Sequence, residues 1–211
     1  MTISLPSRDI IRECDYPKQS IDEMSGSLFL QTQGIPWVPW LYALRRRFLI
    51  EQHISFVENV RFEDTDYSLC CIAKAQRVRF LPMVIIAHTT HSGQTTCINN
   101  DAEKIVDMFK PLLRIKQIAL DAGQQDPACG EAVMSHYRFI FRVNVTRYLW
   151  RIPAKDIVKI LHTYRPTLPQ PNYFMRLCAT YPTLVAILLI VAKPLLPFFR
   201  KFYLKCKTTK K

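Results

Sequence analysis

Three carboxylates stand close together in the sequence FEDTDY: Glu63, Asp64 and Asp66. A carboxylate can act as a general base toward a hydroxyl group, and it can also bind a divalent cation. The spacing by itself favours a structural role, because acidic side chains at the start of a helix interact well with its exposed N–H groups and its dipole. Asp64, Thr65 and Asp66 also fit the DxD metal-binding pattern. This pattern has only three positions, so many sequences match it by chance.

Other residues with chemical potential have simpler structural interpretations. His88 and His91 could place two imidazoles on a metal ion, but a loop gives this spacing no fixed geometry, and surface histidines are the simpler reading. Cys70 and Cys71 have no identifiable base nearby in the sequence. Both are predicted on the buried side of a helix, which argues against nucleophilic catalysis.

Two tryptophans and an arginine run precede the acidic triplet. Trp37 and Trp40 are most simply core residues, because aromatic rings bury large areas. Arg45, Arg46 and Arg47 are most simply a solvated helix face, and phosphate recognition is the sharper alternative.

The elements that would position these residues are mainly helical. The apolar run at residues 78–87 (VRFLPMVIIA) predicts a strand, and Pro82 implies that this strand is an edge strand or carries a bulge. Apolar spacing and turn residues predict the helices. They are residues 42–52, a helix capped by Asp64 or Thr65 that runs to about Ala75, residues 99–122 with a kink at Pro111, residues 127–150 and residues 153–164.

The net charge of +12 is concentrated at one end of the chain. No Asp or Glu follows Asp156, whereas ten Lys or Arg residues do, so residues 1–156 are nearly neutral. The same end contains the apolar run 177–192 (LCATYPTLVAILLIVA) and then the sequence KPLLPFFRKFYLKCKTTKK. Aromatic and cationic residues in this mixture favour a membrane-surface anchor. A core helix followed by a solvated basic tail is the alternative.

Composition limits the remaining classes. With 49% hydrophobic and 22% charged residues in 211, the chain is long and apolar enough to bury a core. Seven scattered cysteines without a CxxC pair, and the lack of a signal-peptide pattern, predict a reduced, cytoplasmic compartment. Five glycines form neither a GxGxxG nor a Walker sequence, which excludes a nucleotide site of those kinds.

Roughly residues 25–100 contain an ordered series of motifs. Its parts are a helix at residues 40–49 (WLYALRRRFL), a turn at 54–56 (ISF), the motif FED at 62–64, a helix at 67–75, a strand at 78–86 and a loop at 92–95 (SGQT). The order of these parts is more specific than any one of them. In this order they resemble the later half of a family 2 glycosyltransferase of the bacterial cell-surface polysaccharide type.

The resemblance implies roles for particular residues. Asp64 would be the catalytic base that takes the proton of the acceptor hydroxyl, and Glu63, Trp37 and Trp40 would contact the acceptor. A second set would lie near the diphosphate of the donor: Arg46, Arg47, Ser92 and Thr95. A divalent metal, Mg²⁺ or Mn²⁺, is expected from the resemblance, but no ligand for it is identifiable in the sequence.

The resemblance also implies a fold and a setting. We expect an α/β fold, with an incomplete GT-A-like, partly Rossmann-like acceptor half at residues 1–98. A helical region at 99–171 and a basic, amphipathic, membrane-associating tail at 172–211 would follow. The family's nucleotide-binding half has no counterpart before Met24, so the sequence predicts a truncated form.

The expected partners are a nucleotide-sugar donor, a saccharide or lipid-linked acceptor and the membrane surface, without nucleic acid. The expected location is cytoplasmic, peripheral on the inner face of the plasma membrane. A catalytically inactive, membrane-associated scaffold and a nucleic-acid binder using the basic end are the alternatives from other classes.

Overall fold

The computed structural model describes residues 21–33, 39–80, 102–166 and 172–193. Of these residues, 72% are helical, and their strands form one two-stranded sheet. The predicted α/β, GT-A-like fold is therefore wrong for the described part of the chain. That expectation came from the resemblance, whereas the periodicity of the sequence predicted a single strand.

The described elements are short strands and helices joined by turns. The strands are β1 (Ile21–Met24) and β2 (Val78–Phe80), and 3-10 turns lie at Pro39–Leu41 and Leu149–Arg151. The helices are α1 (Gly26–Thr32), α2 (Arg46–Glu51), α3 (Glu63–Lys74), α4 (Ala102–Asp107), α5 (Pro111–Gln125), α6 (Pro127–Arg147), α7 (Ala154–Thr163), α8 (Tyr173–Thr180) and α9 (Pro182–Ala192).

Prolines set several of the helix boundaries. The sequence predicted one long helix with a kink at Pro111. The structure instead has two helices, and Pro111 begins α5 after α4 has ended. Pro182 likewise begins α9, so the apolar run 177–192 is divided between two helices. Proline has no N–H to donate and a fixed φ, which makes it suitable for the first turn and unfavourable in the interior of a helix.

The chain divides into two compact units. The first comprises residues 1–99 and 113–137, and the second comprises residues 100–112 and 138–211. In the first unit β1 pairs antiparallel with β2, with Ile21 opposite Phe80 and Met24 opposite Val78. β1 therefore has one more residue than β2 between the two pairs, which is the geometry of a bulge.

A glycine holds α1 against α3 in the first unit. Ser25 caps α1 by accepting a hydrogen bond from the N–H of Leu28 (3.2 Å), and the N–H of Gly26 donates to the carbonyl of Ala75 (2.8 Å). A Cβ atom on Gly26 would lie 1.7 Å from the carbonyl oxygen of Ile72. Only glycine therefore permits this approach of α1 to the last turn of α3.

The core of the first unit is built on the inner face of α3. Its buried apolar residues are Phe29, Leu30, Ile54, Tyr67, Leu69, Cys70, Cys71, Ile72, Ile115, Ile118, Ala119, Cys129, Ala132, Val133 and Tyr137.

Every regular element among the described residues of the second unit is a helix. Phe109 contacts the rings of Phe141 and Tyr164, and the buried amide of Asn144 donates to the carbonyl of Met108 (3.0 Å). α9 packs on α7 and on α8. The buried apolar residues are Ile105, Phe109, Leu112, Phe141, Val145, Leu149, Ile152, Ile157, Ile160, Leu161, Met175, Cys178, Ala179, Val185 and Ala186.

Candidate functional site

The first turn of α3 is the candidate site. The helix begins at Glu63, and the residue before it, Phe62, has a left-handed backbone (φ 65°) and makes no side-chain capping hydrogen bond. The prediction that Asp64 or Thr65 caps this helix is therefore wrong. The acidic residues lie instead within the first turn, where their negative charges interact favourably with the exposed N–H groups and with the helix dipole.

Asp66 is the structural member of the acidic triplet. Its side chain is buried, and Arg114 Nη1 lies 2.9 Å from its Oδ2, in an ion pair between α5 and α3. Arg114 Nη2 also donates to the carbonyl of Ser55 (3.1 Å), in the loop that leads to α3. Burial raises the pKa of Asp66, and the Arg114 guanidinium opposes that rise.

Asp64 differs from Asp66 in exposure and in partners. Its side chain is half-buried, and the hydroxyl of Thr65 lies 3.4 Å from its Oδ1. Burial raises the pKa of Asp64 above its ordinary value, and the negative charge of Glu63 raises it further. A carboxylate with a raised pKa is a stronger proton acceptor once it has ionised, which suits a general base.

Aromatic side chains lie on both sides of this turn. The ring of Phe56 stacks on that of Tyr67 with a centroid distance of 3.8 Å, which fixes the approach loop to α3. The 3-10 turn that contains Trp40 contacts α3, and Trp40 is 40% exposed. Trp40 is thus not a fully buried core residue, and Trp37 lies outside the described residues.

The arginines predicted for the diphosphate are on α2. Arg47 Nε is 2.6 Å from Glu51 Oε1 in an exposed pair within the helix, so Arg47 has a local partner. Arg46 lines an open depression of about 490 Å³ together with Leu49, Ile50, His53, Ile54 and Ser55. Ser92 and Thr95, the other residues predicted for the diphosphate, lie outside the described residues.

Arg114 is a residue of this site that no motif in the sequence indicates. It lies within the amphipathic segment predicted for residues 99–122, where a single arginine carries no signal of its function. The structure shows that it connects α5, the loop before α3 and the first turn of α3.

The described residues show no complete ligand set for the divalent metal that the resemblance implies. No group of three or more His, Cys, Asp or Glu among them is close enough to hold a metal ion. The ion pair of Asp66 with Arg114 also occupies the second carboxylate of the DxD pattern. His88 and His91 lie outside the described residues.

The adjacent cysteines of α3 are packing residues. Cys70 and Cys71 are buried, and burial raises the pKa of both thiols, that of Cys71 to about 11. Since the thiolate is the nucleophile, thiols with raised pKa values in the core are unreactive near neutral pH.

Within the described ranges, no single helix is both long and apolar enough to cross a bilayer. α8 and α9 meet that requirement only as a pair, and they are bent by 110° where they join. No family model matches the chain, and no curated protein or solved structure matches it.

Proposed function

We propose that this chain supplies the acceptor side of an inverting glycosyl transfer, with Asp64 as the base. The donor is a nucleotide sugar, and the acceptor is a saccharide or a lipid-linked saccharide of cell-surface polysaccharide synthesis, at the inner face of the plasma membrane. The observation that carries the proposal is Asp64 itself, a half-buried carboxylate with a raised pKa in the first turn of α3.

In the reaction the ionised Asp64 takes the proton of an acceptor hydroxyl group. The hydroxyl oxygen forms a bond to the anomeric carbon of the donor sugar on the face opposite the leaving group. The bond between that carbon and the diphosphate oxygen breaks, and the nucleotide diphosphate leaves with the electron pair. A sugar hydroxyl is a weak nucleophile, and a positioned base contributes about 100- to 10,000-fold to such a step.

The division of roles among the three acids supports this assignment. Asp66 is buried and paired with Arg114, so it serves the frame rather than the reaction. Glu63 is half-buried, and its charge raises the pKa of Asp64. Arg114 and the stacked pair of Phe56 and Tyr67 hold the loop before α3 against this helix.

The acceptor and the diphosphate are assigned by proximity and charge. Trp40, part-exposed on a turn that contacts α3, presents an aromatic surface of the kind on which sugar rings stack. Arg46, which lines the open depression next to Ser55, is a better diphosphate candidate than Arg47, which pairs with Glu51.

A second candidate function is that of a catalytically inactive, membrane-associated scaffold. The exposed apolar face of α9, with Leu188 and Val191 more than half exposed, favours an interaction role for this part of the chain. Calorimetric titration with acceptor saccharides separates the two candidates, since a scaffold has no reason to bind an acceptor saccharide.

The proposed function is tested by sugar transfer in a fusion that supplies the nucleotide-binding half of a family 2 glycosyltransferase. Wild type and Asp64→Asn are compared with the control Glu58→Gln, which removes an exposed carboxylate from the loop before α3. We expect Asp64→Asn to lower turnover by about 100-fold or more and Glu58→Gln to leave it unchanged. Equal turnover of all three proteins would remove the base assignment.

A further inference from the structure

Helix α9 is apolar on two faces, and the described residues of the second unit cover only one of them. Val185 and Ala186 are buried, on a helix that packs on α7. The opposite face consists of Leu184, Ile187, Leu188 and Val191, which are 48%, 51%, 56% and 65% exposed.

Their spacing places these four residues on one stripe of the helix, which we call the α9 stripe. Residues separated by three or four positions share a helix face, and this spacing links 184 to 187 and 188, and links 191 to the same two residues. Together they expose apolar area on the order of 400 Å², which is within the range of the largest patch of a typical monomer, and such a patch is often functional.

We propose that the α9 stripe is a membrane-surface contact that inserts into the headgroup region of an anionic bilayer. The argument for this occupant is charge complementarity. Ten Lys or Arg residues and no acidic residue follow Asp156, so the part of the sequence that contains the stripe is strongly cationic. An apolar helix face accompanied by cations is the combination that binds anionic lipid surfaces.

The geometry favours a helix that lies in the interface over one that spans the bilayer. Eleven residues extend about 16 Å, which is short of a hydrocarbon core of ~30 Å. The bend of 110° between α8 and α9 prevents the pair from forming one straight span. Lys193 Nζ also donates to the carbonyl of Ile152 (3.1 Å), which ties the end of α9 to its own unit.

A second copy of the chain is a poorer occupant. A stable interface buries about 800 Å² on each partner, roughly twice the area of the stripe. Two copies would also bring together two cationic segments, which repel each other.

The test is co-sedimentation of the full chain with two kinds of vesicle, pure phosphatidylcholine and phosphatidylcholine with about 30% phosphatidylglycerol. The variant Ile187→Gln/Leu188→Gln removes the centre of the stripe. The matched control is Leu113→Gln/Leu120→Gln on α5, whose side chains are 50% and 51% exposed. We expect the stripe variant to bind anionic vesicles at least ~10-fold more weakly than wild type and the control variant to bind as wild type.

A fluorescence experiment with added tryptophans keeps the proposal testable if the glutamine variant does not fold. In Leu188→Trp, brominated lipids in anionic vesicles should quench the added tryptophan, whereas in Leu120→Trp they should not. Equal binding of both glutamine variants, or equal quenching of both tryptophan variants, would overturn the proposal. It would also be overturned if the glutamine variant lost self-association while its vesicle binding stayed intact. None of these readouts depends on sugar transfer.

Discussion

Arg114 Nη1 lies 2.9 Å from Asp66 Oδ2, and Nη2 of the same guanidinium donates to the carbonyl of Ser55 at 3.1 Å. One side chain of α5 therefore holds both the first turn of α3 and the loop that precedes it. Asp64 is two residues from Asp66 on this fixed turn, so the proposed base depends on Arg114 for its position although Arg114 is not itself placed in the reaction.

The first prediction concerns the stability that Arg114 provides. Arg114→Met leaves the Asp66 carboxylate, whose side chain is 2% exposed, without its cation, and we expect it to lower the free energy of unfolding by about 2 kcal/mol or more at pH 7. Arg47→Met, which breaks an exposed pair, should cost less than about 0.5 kcal/mol. Urea denaturation measures both, and equal costs would contradict the structural role of the buried pair.

The same variant should show a defined pH dependence. The folded-state pKa of Asp66 is already raised above its ordinary 3.8, and loss of Arg114 removes the charge that opposes this rise. A raised carboxyl pKa gives stability that is present at low pH and is lost as pH rises through the folded value. The deficit of Arg114→Met relative to wild type should therefore be smaller near pH 4 than at pH 7. A deficit independent of pH would indicate lost packing alone.

The contact between α1 and α3 gives a second prediction. In Gly26→Ala the new methyl group would lie 1.7 Å from the Ile72 carbonyl oxygen, so α1 must move, at a cost of about 2 kcal/mol or more. In Gly123→Ala the nearest atom is the Cα of Gly130 at 3.6 Å, an ordinary contact, and the helix gains about 0.5–1 kcal/mol from alanine. Thermal unfolding distinguishes the two substitutions, and similar effects would contradict the close approach.

The sequence predicted the later helices well and the site poorly, for identifiable reasons. Pro127 begins α6 and Pro153 precedes α7, both near the predicted positions, because proline and apolar periodicity act locally. Strand β1 was missed because it has four residues and its partner β2 is far along the chain. The resemblance implied a Rossmann-like sheet, but the one sheet among the described residues has two strands. The local sequence patterns in these residues are mainly helical.

The acidic triplet shows where local reasoning ends. A sequence identifies three carboxylates near a helix start, but the difference between Asp64 and Asp66 comes from tertiary contacts. Asp66 is buried because α5 brings Arg114 to it, and no spacing rule connects these two residues. The glycosyl-transfer roles of Asp64 and Trp40 remain predictions.

The third prediction concerns the titration of individual carboxyl groups. Carboxyl-carbon NMR should give Asp64 a pKa above its ordinary 3.8. Asp126 should have a pKa below that value, because its carboxylate accepts hydrogen bonds from the side chain of Ser27 and from the N–H groups of Cys129 and Ala128. Glu63→Gln should reduce the rise of Asp64 but not abolish it, because burial is the larger cause. A pKa of Asp64 at or below its ordinary value would contradict the environment described here.

The fourth prediction concerns the buried thiols. Cys71 and Cys178 lie in the two cores, and burial raises their pKa values to about 11 and about 12. Both thiols should react slowly with alkylating reagents at pH 8 in the folded chain and rapidly in urea, as followed by peptide mass spectrometry. Rapid labelling of the folded chain would show that these helices are not packed as described.

The pH–rate profile of sugar transfer is the most direct test of the central claim that Asp64 is the base. In the fusion that supplies a nucleotide-binding half, kcat/KM should rise with pH to a plateau, with an apparent pKa above 3.8. Glu63→Gln should move this rise to lower pH, and Asp64→Asn should lower the plateau by about 100-fold or more. A profile of Asp64→Asn that matches wild type in height and in apparent pKa would contradict the claim.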